Sequence, residues 1–274
     1  MSKELIGFKI SEIWFPIIIL LFVFTLPYYF FEMSLILITV IQIDASSIEE
    51  TIKKFTDNQV LMKFIVGLVL SYLVLTIIRN NNKERIFNIS NIYYDMNYFY
   101  FLIAAKLLGY TKVNLVNVPI YLHFLICFKG HFQEVIFADT EEIDKTVAVK
   151  LINESYGSDT INIIIKDTYD ITEDMLPKTI RDLPILIVDN YINTQNQRLY
   201  NKNLEKQLKI QIDKYSDKYP VANIFATTNT KTSKSLIDYC FKTAGRNGFK
   251  KVYVYKQERD RTFKEKVLVY KKKY

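Results

Sequence analysis

The feature that most constrains the fold is a run of 18 residues, 14–31, that contains no charged side chain. As a helix this run would extend about 27 Å, close to the ~30 Å hydrocarbon thickness of a bilayer. A second apolar run covers residues 60–78 and ends at Arg79. The sequence therefore predicts a membrane module of two transmembrane helices within residues 1–79.

Two features of this module leave alternatives open. Beyond Glu32, residues 33–43 remain apolar, so the first helix either continues, kinked at Pro27, or turns along the membrane interface. Gly67 and Ser71 are four residues apart in the second run. This spacing lets helix backbones approach closely, either within one chain or between copies of it.

Basic residues flank the outer ends of both predicted spans, and they predict that the N- and C-termini are cytoplasmic. The residues are Lys3, Lys9, Arg79, Lys83 and Arg85. The segment between the spans contains two lysines but is net acidic. A cleaved signal peptide is the alternative, and the length of the first run and the lack of a small-residue cleavage site argue against it. We expect a multi-pass protein of the cell membrane.

The chain carries a net charge of +7, and the excess of basic residues lies beyond residue 79. A basic domain tethered to a bilayer is attracted to anionic lipid, nucleic acid or a small phosphorylated ligand. Two cysteines and two histidines, without metal-ligand spacing, give no support to a disulfide framework or a zinc site. No acid–base pair or nucleophile stands out, so the sequence predicts neither catalytic residues nor a cofactor.

Residues 80–110 predict a connector helix that ends at Gly109, and residues 111–274 predict an α/β domain with a mostly parallel sheet. Short β-branched runs alternate there with helical segments. The predicted strands are 113–118, 134–139, 161–167, 184–190, 222–228, 250–256 and 265–271. The predicted helices are 119–129, 142–156, 172–181 with Thr172 as N-cap, 203–219 and 233–244.

Ligands of such sheets bind beyond the carboxyl ends of the strands, where backbone amides and helix N-termini attract negative charge. The loops at these ends are 117–119, 139–141, 189–197 and 227–235. The last, TTNTKTSKS, holds six hydroxyl side chains and two lysines. With Lys231 it could cradle a phosphate or a ribose, and the alternative is a helix cap with solvated lysines.

Taken in order, these loops resemble the CRISPR-associated Rossmann fold, the CARF sensor domain of type III CRISPR ancillary effectors. VNVPIYLHF (116–124) resembles its first strand, whose loop ends in proline before a helix, with Pro119 in that position. EVIFADTEE (134–142) resembles its second strand, which ends in a threonine followed by acids. TTNTKTSKSL (227–236) resembles its glycine-glycine-threonine-lysine turn, with Thr228 and Asn229 in place of the glycines. The resemblance covers about residues 111–271.

The resemblance implies a Rossmann-like domain that dimerises and binds a cyclic oligoadenylate across the two-fold axis. Fused to two spans, it would be a membrane effector of anti-phage defence that gates or disrupts the bilayer as a homo-oligomer, without direct binding of DNA or RNA duplexes. The expected ligand-binding residues are Asn117, Pro119, Thr140, Asn190, Thr194, Thr228, Asn229, Thr230, Lys231, Thr232 and Ser233, with Lys231 on phosphates.

Three alternatives remain. The loop at 227–235 also resembles a phosphoribosyltransferase loop, but threonines occupy the positions of its two acids, which implies a degenerate, inactive site. The α/β domain could instead be a protein-docking surface of a membrane scaffold or of a secretion or conjugation machine. A hydrolase of cyclic nucleotides would use the hydroxyls and lysine of the same loop.

Overall fold

The computed structural model of the chain describes residues 3–30, 59–89, 97–137, 139–154, 157–191, 199–242 and 248–272. The chain divides into two compact units. The membrane unit comprises Met1–Arg85 and Leu102–Thr111, and the α/β unit comprises Ile86–Phe101 and Lys112–Tyr274.

Two long helices dominate the membrane unit, and both are long and apolar enough to cross a bilayer. Helix α1 comprises Lys3–Lys9, a π-helical turn at Ile10–Trp14 and Phe15–Phe30, and Pro27 lies inside it. Helix α2 is Gln59–Lys83. Both helices extend beyond the predicted apolar runs, and residues 33–43 lie outside the described residues.

The small-residue face of α2 packs against α1 of the same chain. A Cβ atom added to Gly67 would lie 2.5 Å from the backbone oxygen of Phe24, so only glycine permits this approach. One turn further along α2, the Ser71 hydroxyl donates to the Leu20 carbonyl at 3.3 Å. Of the two alternatives for this spacing, the structure shows contact within one chain.

Side chains at the end of α2 also bind the last turn of helix α3, which consists of Tyr98–Leu102 and a π-helical turn at Ile103–Leu107. Gly109 has φ of +80° and ends this helix, as the sequence predicts. The Arg79 guanidinium donates to the Lys106 carbonyl at 2.8 Å, and the Asn82 amide donates to the Leu108 carbonyl at 3.0 Å. These donors satisfy carbonyls that have no partner within the helix itself.

A six-stranded sheet forms the centre of the α/β unit. Its strands are β5 (Ala148–Ile152), β6 (Thr160–Lys166), β7 (Ile185–Asp189), β9 (Val221–Ala226), β10 (Lys251–Gln257) and β11 (Phe263–Lys271). From edge to edge their order is β11-β10-β9-β6-β7-β5. The four inner strands are parallel, and both edge strands pair antiparallel to their neighbours. The predicted, mostly parallel sheet is thereby confirmed.

Two smaller sheets accompany this one. A parallel three-stranded sheet contains β1 (Ile86–Phe87), β2 (Lys112–Asn114) and β3 (Glu134–Ile136). A parallel pair contains β4 (Glu141–Ile143) and β8 (Leu199–Asn201). The helices of the unit are α4 (Ile120–Lys129), α5 (Lys202–Tyr215) and α6, which comprises Thr230–Leu236 and a π-helical turn at Ile237–Phe241.

The prediction of a helix at 142–156 is wrong, because this segment contains β4 and the edge strand β5. Val147, Val149 and Leu151 alternate with polar or small residues, which is the period of a strand with one covered face. β-branched side chains further favour the extended backbone. Antiparallel pairing with β7 completes the edge of the sheet.

The prediction of a helix at 172–181 is also wrong, because the segment forms two short 3₁₀ turns, Glu173–Met175 and Lys178–Ile180. Pro177 causes the interruption, since proline disfavours helical backbone in the residue before it. Leu176 accordingly has ψ of 144°. The Thr172 side chain makes no cap hydrogen bond to the backbone of the first turn.

The chain order of the strands reverses at β6, because β7 lies on one side of it and β9 on the other. Open α/β sheets bind ligands in the crevice outside the carboxyl ends of the strands at such a point. The predicted helices at 119–129, 203–219 and 233–244 correspond to α4, α5 and α6, with α6 beginning three residues early. The predicted end at Ala244 lies outside the described residues.

Candidate functional site

Five of the predicted ligand residues line one cavity of about 200 Å³. They are Asn117, Thr140, Asn229, Thr230 and Lys231. Val116, His123 and Phe137 complete the walls of this strand-end cavity. Residues from three loops that are far apart in sequence therefore meet at one place, where loops after β2 and β3 of the three-stranded sheet reach the loop after β9 of the six-stranded sheet.

The first wall follows β2, which ends four residues earlier than the predicted strand 113–118. The Asn114 side chain accepts a hydrogen bond from the Val116 amide at 2.9 Å, and this turn ends the strand. Asn117 then adopts φ of +62°, a left-handed conformation that asparagine tolerates better than most residues. Pro119 precedes α4 and lines a different cleft, with Tyr121 and the β10–β11 turn.

The second wall includes Thr140, between β3 and β4. Its hydroxyl is buried and has no hydrogen-bond partner among the described residues. A buried polar atom without a partner is uncommon in folded proteins. Thr140 thus places a buried hydroxyl without a described partner at the wall of the cavity.

The third wall is the first turn of α6, which Asn229 caps. The Asn229 side-chain oxygen accepts from the Thr232 amide at 2.9 Å, and its side-chain nitrogen donates to the Leu199 carbonyl at 2.8 Å. Capping of this kind satisfies a backbone donor that a helix cannot satisfy internally. The amide of Asn229 is therefore largely used in holding α6 and β8 together.

The Lys231 ammonium faces a carboxylate in this structure rather than open solvent. It lies 3.0 Å from Glu142 on β4 and 4.5 Å from the ring centre of Tyr200 on β8. Glu142 is 71% exposed, so the pair is screened by water and contributes little stability. A phosphate, with several acceptor oxygens, could replace a carboxylate of this kind as the partner of the lysine.

The other predicted residues of the α6 turn face inward and contact one another. Thr228 and Ser233 share a hydrogen bond of 2.7 Å between their hydroxyls, and both are buried. Thr232 is fully buried as well, and its hydroxyl has no hydrogen-bond partner among the described residues. These three side chains do not line the strand-end cavity, which is lined by their neighbours Asn229, Thr230 and Lys231.

His123 is a residue of the cavity that the sequence interpretation missed as a site residue. Its Nε2 lies 2.9 Å from the Leu115 carbonyl and its Nδ1 lies 3.4 Å from the Ser233 hydroxyl. Burial lowers the pKa of His123 to about 4, so the ring is neutral near pH 7. Since Leu115 can only accept, Nε2 carries the proton and Nδ1 accepts from Ser233. The histidine holds α4 to α6.

A second polar group lies at the carboxyl ends of β6, β7 and β8, and of its members the sequence predicts Asn190 as a site residue but not Asp167 or Asn201. Asn190 donates to the Asp167 carboxylate at 2.7 Å and accepts from Asn201 at 2.6 Å. Asn201 in turn donates to the Lys145 carbonyl at 2.9 Å. Burial raises the pKa of Asp167 to about 6. Asn190 therefore belongs to a buried network, and the predicted Thr194 lies outside the described residues.

Among the described residues there is no cluster of three or more potential metal ligands. Cys127 and Cys240 are buried free thiols. Burial raises the pKa of the Cys127 thiol to about 12, which makes a reactive thiolate unfavourable at neutral pH.

Comparison with known proteins gives a family match and similar solved structures. The SMODS- and ubiquitin system-associated 2TM effector domain family matches residues 3–274. Among solved structures, the Acinetobacter baumannii Cap4 SAVED/CARF-domain containing receptor, solved with the cyclic trinucleotide 3′3′3′-cAAA, is 12% identical with a TM-score of 0.42. The match covers 57% of this chain and 37% of the receptor. No curated protein matches the chain.

The family description names two transmembrane segments and an effector domain, and it therefore fits the resemblance to a CARF-like membrane effector. The two long apolar helices and the α/β unit with its mostly parallel sheet agree with that description.

Proposed function

Because the chain belongs to the family of SMODS- and ubiquitin system-associated 2TM effector domains, we propose that it is a ligand-gated membrane effector of anti-phage defence. In this proposal, the strand-end cavity binds a cyclic oligonucleotide, a cyclic oligoadenylate in the first instance, and the bound state raises the permeability of the membrane. The chain acts as a dimer or higher homo-oligomer, with both termini in the cytoplasm and without catalytic chemistry.

The observation that carries the proposal is the meeting of Asn117, Thr140 and Lys231 in one cavity. They supply an amide, an unpartnered hydroxyl and an ammonium, which together suit the oxygens of a sugar-phosphate. The neutral His123 adds a polar wall without a second charge. A cavity of about 200 Å³ accommodates one such unit of a larger ring.

A ligand can shift the membrane unit only if it binds two arrangements of the protein with different affinity. Coupling of this kind is typically worth about 1–3 kcal/mol per site. The proposal therefore predicts a reciprocal effect: conditions that favour the permeable arrangement should also raise the affinity for the ligand.

The first experiment is calorimetric titration of the full chain, in detergent or nanodiscs, with cyclic oligoadenylates of several ring sizes. We expect saturable binding to one ring size, and about 10- to 100-fold weaker binding by Lys231→Ala, because a charge-assisted contact to phosphate is lost. Lys206→Ala removes the same charge from an exposed position of α5 and should bind like the parent chain. Binding by no ring size would overturn the proposal.

The second experiment uses the same proteins in dye-loaded liposomes. Addition of the ligand should release dye from liposomes that contain the parent chain or Lys206→Ala, and much less from those that contain Lys231→Ala. Chromatography of the ligand afterwards should recover intact rings. Linear products would indicate a hydrolase, and binding without dye release would favour a docking or sensing role in place of a gated effector.

A further inference from the structure

A second cleft of about 420 Å³ runs along α6 beside the strand-end cavity. Phe137 and Lys231 line both spaces, so the cleft begins where the cavity ends. Its remaining walls include Tyr200 on β8, and Glu205 on α5. We refer to it as the side cleft.

Three aromatic rings line the side cleft, and two of them are unusually exposed. Phe137 is 39% exposed and Tyr239 is 46% exposed, whereas Tyr200 is buried. Large aromatic side chains that stay exposed beside a cleft commonly mark a binding surface. Flat rings of this type stack with the bases of nucleotides.

The polar atoms at the base of the side cleft are hydrogen-bond acceptors. The Tyr200 hydroxyl donates to the Glu205 carboxylate and lies 3.1 Å from the Ser235 hydroxyl. Burial raises the pKa of Tyr200 to about 12, so the phenol keeps its proton. Because that proton goes to Glu205, the Ser235 proton goes to Tyr200, which leaves lone pairs on Ser235 and on the carboxylate.

The charges at the rim of the cleft balance each other. Lys234 lies 2.7 Å from Asp238, which also lies 3.2 Å from Lys242. Lys231 is the cation at the junction of the two spaces, where its ammonium lies over the ring of Tyr200. A ligand with a phosphate at Lys231 would thus direct its sugar to one space and its base to the other.

We propose that the side cleft is a nucleobase subsite, which takes a purine with an exocyclic amine, stacked on Tyr239 and Phe137 with its amine on Glu205. This rests on the proposed function, since it assigns one base of the nucleotide ligand to a position. Glu205 is acceptor-only when ionised, so it favours an amino group and opposes the carbonyl oxygen of the deaminated base. The cleft therefore discriminates adenine from hypoxanthine.

The test measures binding of AMP and IMP to the full chain, by calorimetry or ligand-observed NMR, together with the cyclic oligoadenylate titration. The parent chain should bind AMP at least about tenfold more tightly than IMP, because the buried carboxylate of Glu205 would face a carbonyl oxygen in the complex with IMP. Glu205→Gln should lose most of this preference, because its amide can donate to that oxygen. If Glu205 had only a structural role, Glu205→Gln would weaken the binding of AMP and of IMP equally.

Stacking has its own matched pair of variants. Tyr239→Ala should weaken the binding of AMP about tenfold or more, whereas Tyr239→Phe keeps the aromatic ring and should bind AMP like the parent chain. Tyr239 is exposed, so this pair stays informative even if Glu205→Gln does not fold.

The outcomes separate this inference from the proposed function. Cyclic ligand binding that depends on Lys231 but is unchanged in Tyr239→Ala and Glu205→Gln would overturn the subsite and leave the function standing. AMP selectivity that depends on Tyr239, without binding of any cyclic ring, would support the subsite and overturn the function. Binding of neither ligand would overturn both.

Discussion

Two groups of polar side chains lie near the carboxyl ends of strands and differ in what they contact. The inner group, Asp167, Asn190 and Asn201, is buried, and its members hydrogen-bond to one another. The outer group, Thr140 and Lys231, lines the strand-end cavity. One outer hydroxyl has no partner among the described residues, and the lysine is held by an exposed carboxylate.

The difference shows which polar residues are structural and which are available. Inner residues hydrogen-bond to one another, although the Asp167 Oδ2 atom has no partner among the described residues. Replacing one member leaves a further buried polar group without its partner, which carries a large free-energy penalty. Of the outer residues, Lys231 has a partner that solvent or a ligand can replace at little cost, and the Thr140 hydroxyl has no partner to lose among the described residues. Inner substitutions should therefore change stability, and outer substitutions should change binding.

The largest expected effect is that of Asn190→Ala, which removes the donor to Asp167 and the acceptor for Asn201. We expect the free energy of unfolding to fall by about 2–4 kcal/mol, because a buried carboxylate loses its partner. Scanning calorimetry of the full chain measures this. Lys231→Ala is the corresponding variant of the outer group, and it should lower the free energy of unfolding by less than about 1 kcal/mol. Equal losses in the two variants would contradict the division into inner and outer groups.

The next effect is a pH dependence from Asp167, whose pKa burial raises from 3.8 to about 6. The folded chain binds this proton more tightly than the unfolded chain, so the free energy of unfolding falls as pH rises from about 4 to about 6. The fall should amount to about 2–3 kcal/mol. The free energy of unfolding of the parent chain, measured at several pH values, should show this decrease. Asp167→Asn, which cannot ionise, should lack it.

Asp182→Asn is the control for that measurement, because Asp182 is exposed. It should keep the slope of the parent chain. If Asp167→Asn and the parent chain changed equally with pH, the carboxylate would not be the source of the dependence.

The sequence predicts the inner strands of the sheet well, because runs such as 161–167 are long, β-branched and apolar on both faces. It fails at 142–156, where a short alternating run at the sheet edge depends on pairing with β7, which is distant in sequence. The predicted helix at 172–181 is wrong for a local reason, because Pro177 interrupts a helix and is present in the sequence itself.

The sequence also predicts which segments supply polar residues to the site. It does not predict which of these residues line the cavity and which are buried. Thr228, Thr230 and Thr232 look equivalent in the sequence, yet only Thr230 lines the cavity. The turn of α6 decides which hydroxyls face inward, and α6 begins three residues before the predicted position. Asp167, Asn190 and Asn201 come from three different strands, so their network depends on strand order, which no local pattern encodes.

The smallest expected effect concerns Glu142, the carboxylate that holds Lys231 in the structure. A phosphate must displace Glu142 to reach the ammonium, so Glu142→Gln should raise the affinity for the cyclic ligand about three- to tenfold and leave stability nearly unchanged. Glu141→Gln is the matched control, because adjacent side chains of a strand point to opposite faces. Calorimetric titration compares the two variants. Weaker binding by Glu142→Gln would mean that the carboxylate positions the lysine for the ligand, and Lys231 would then belong to the inner, structural group.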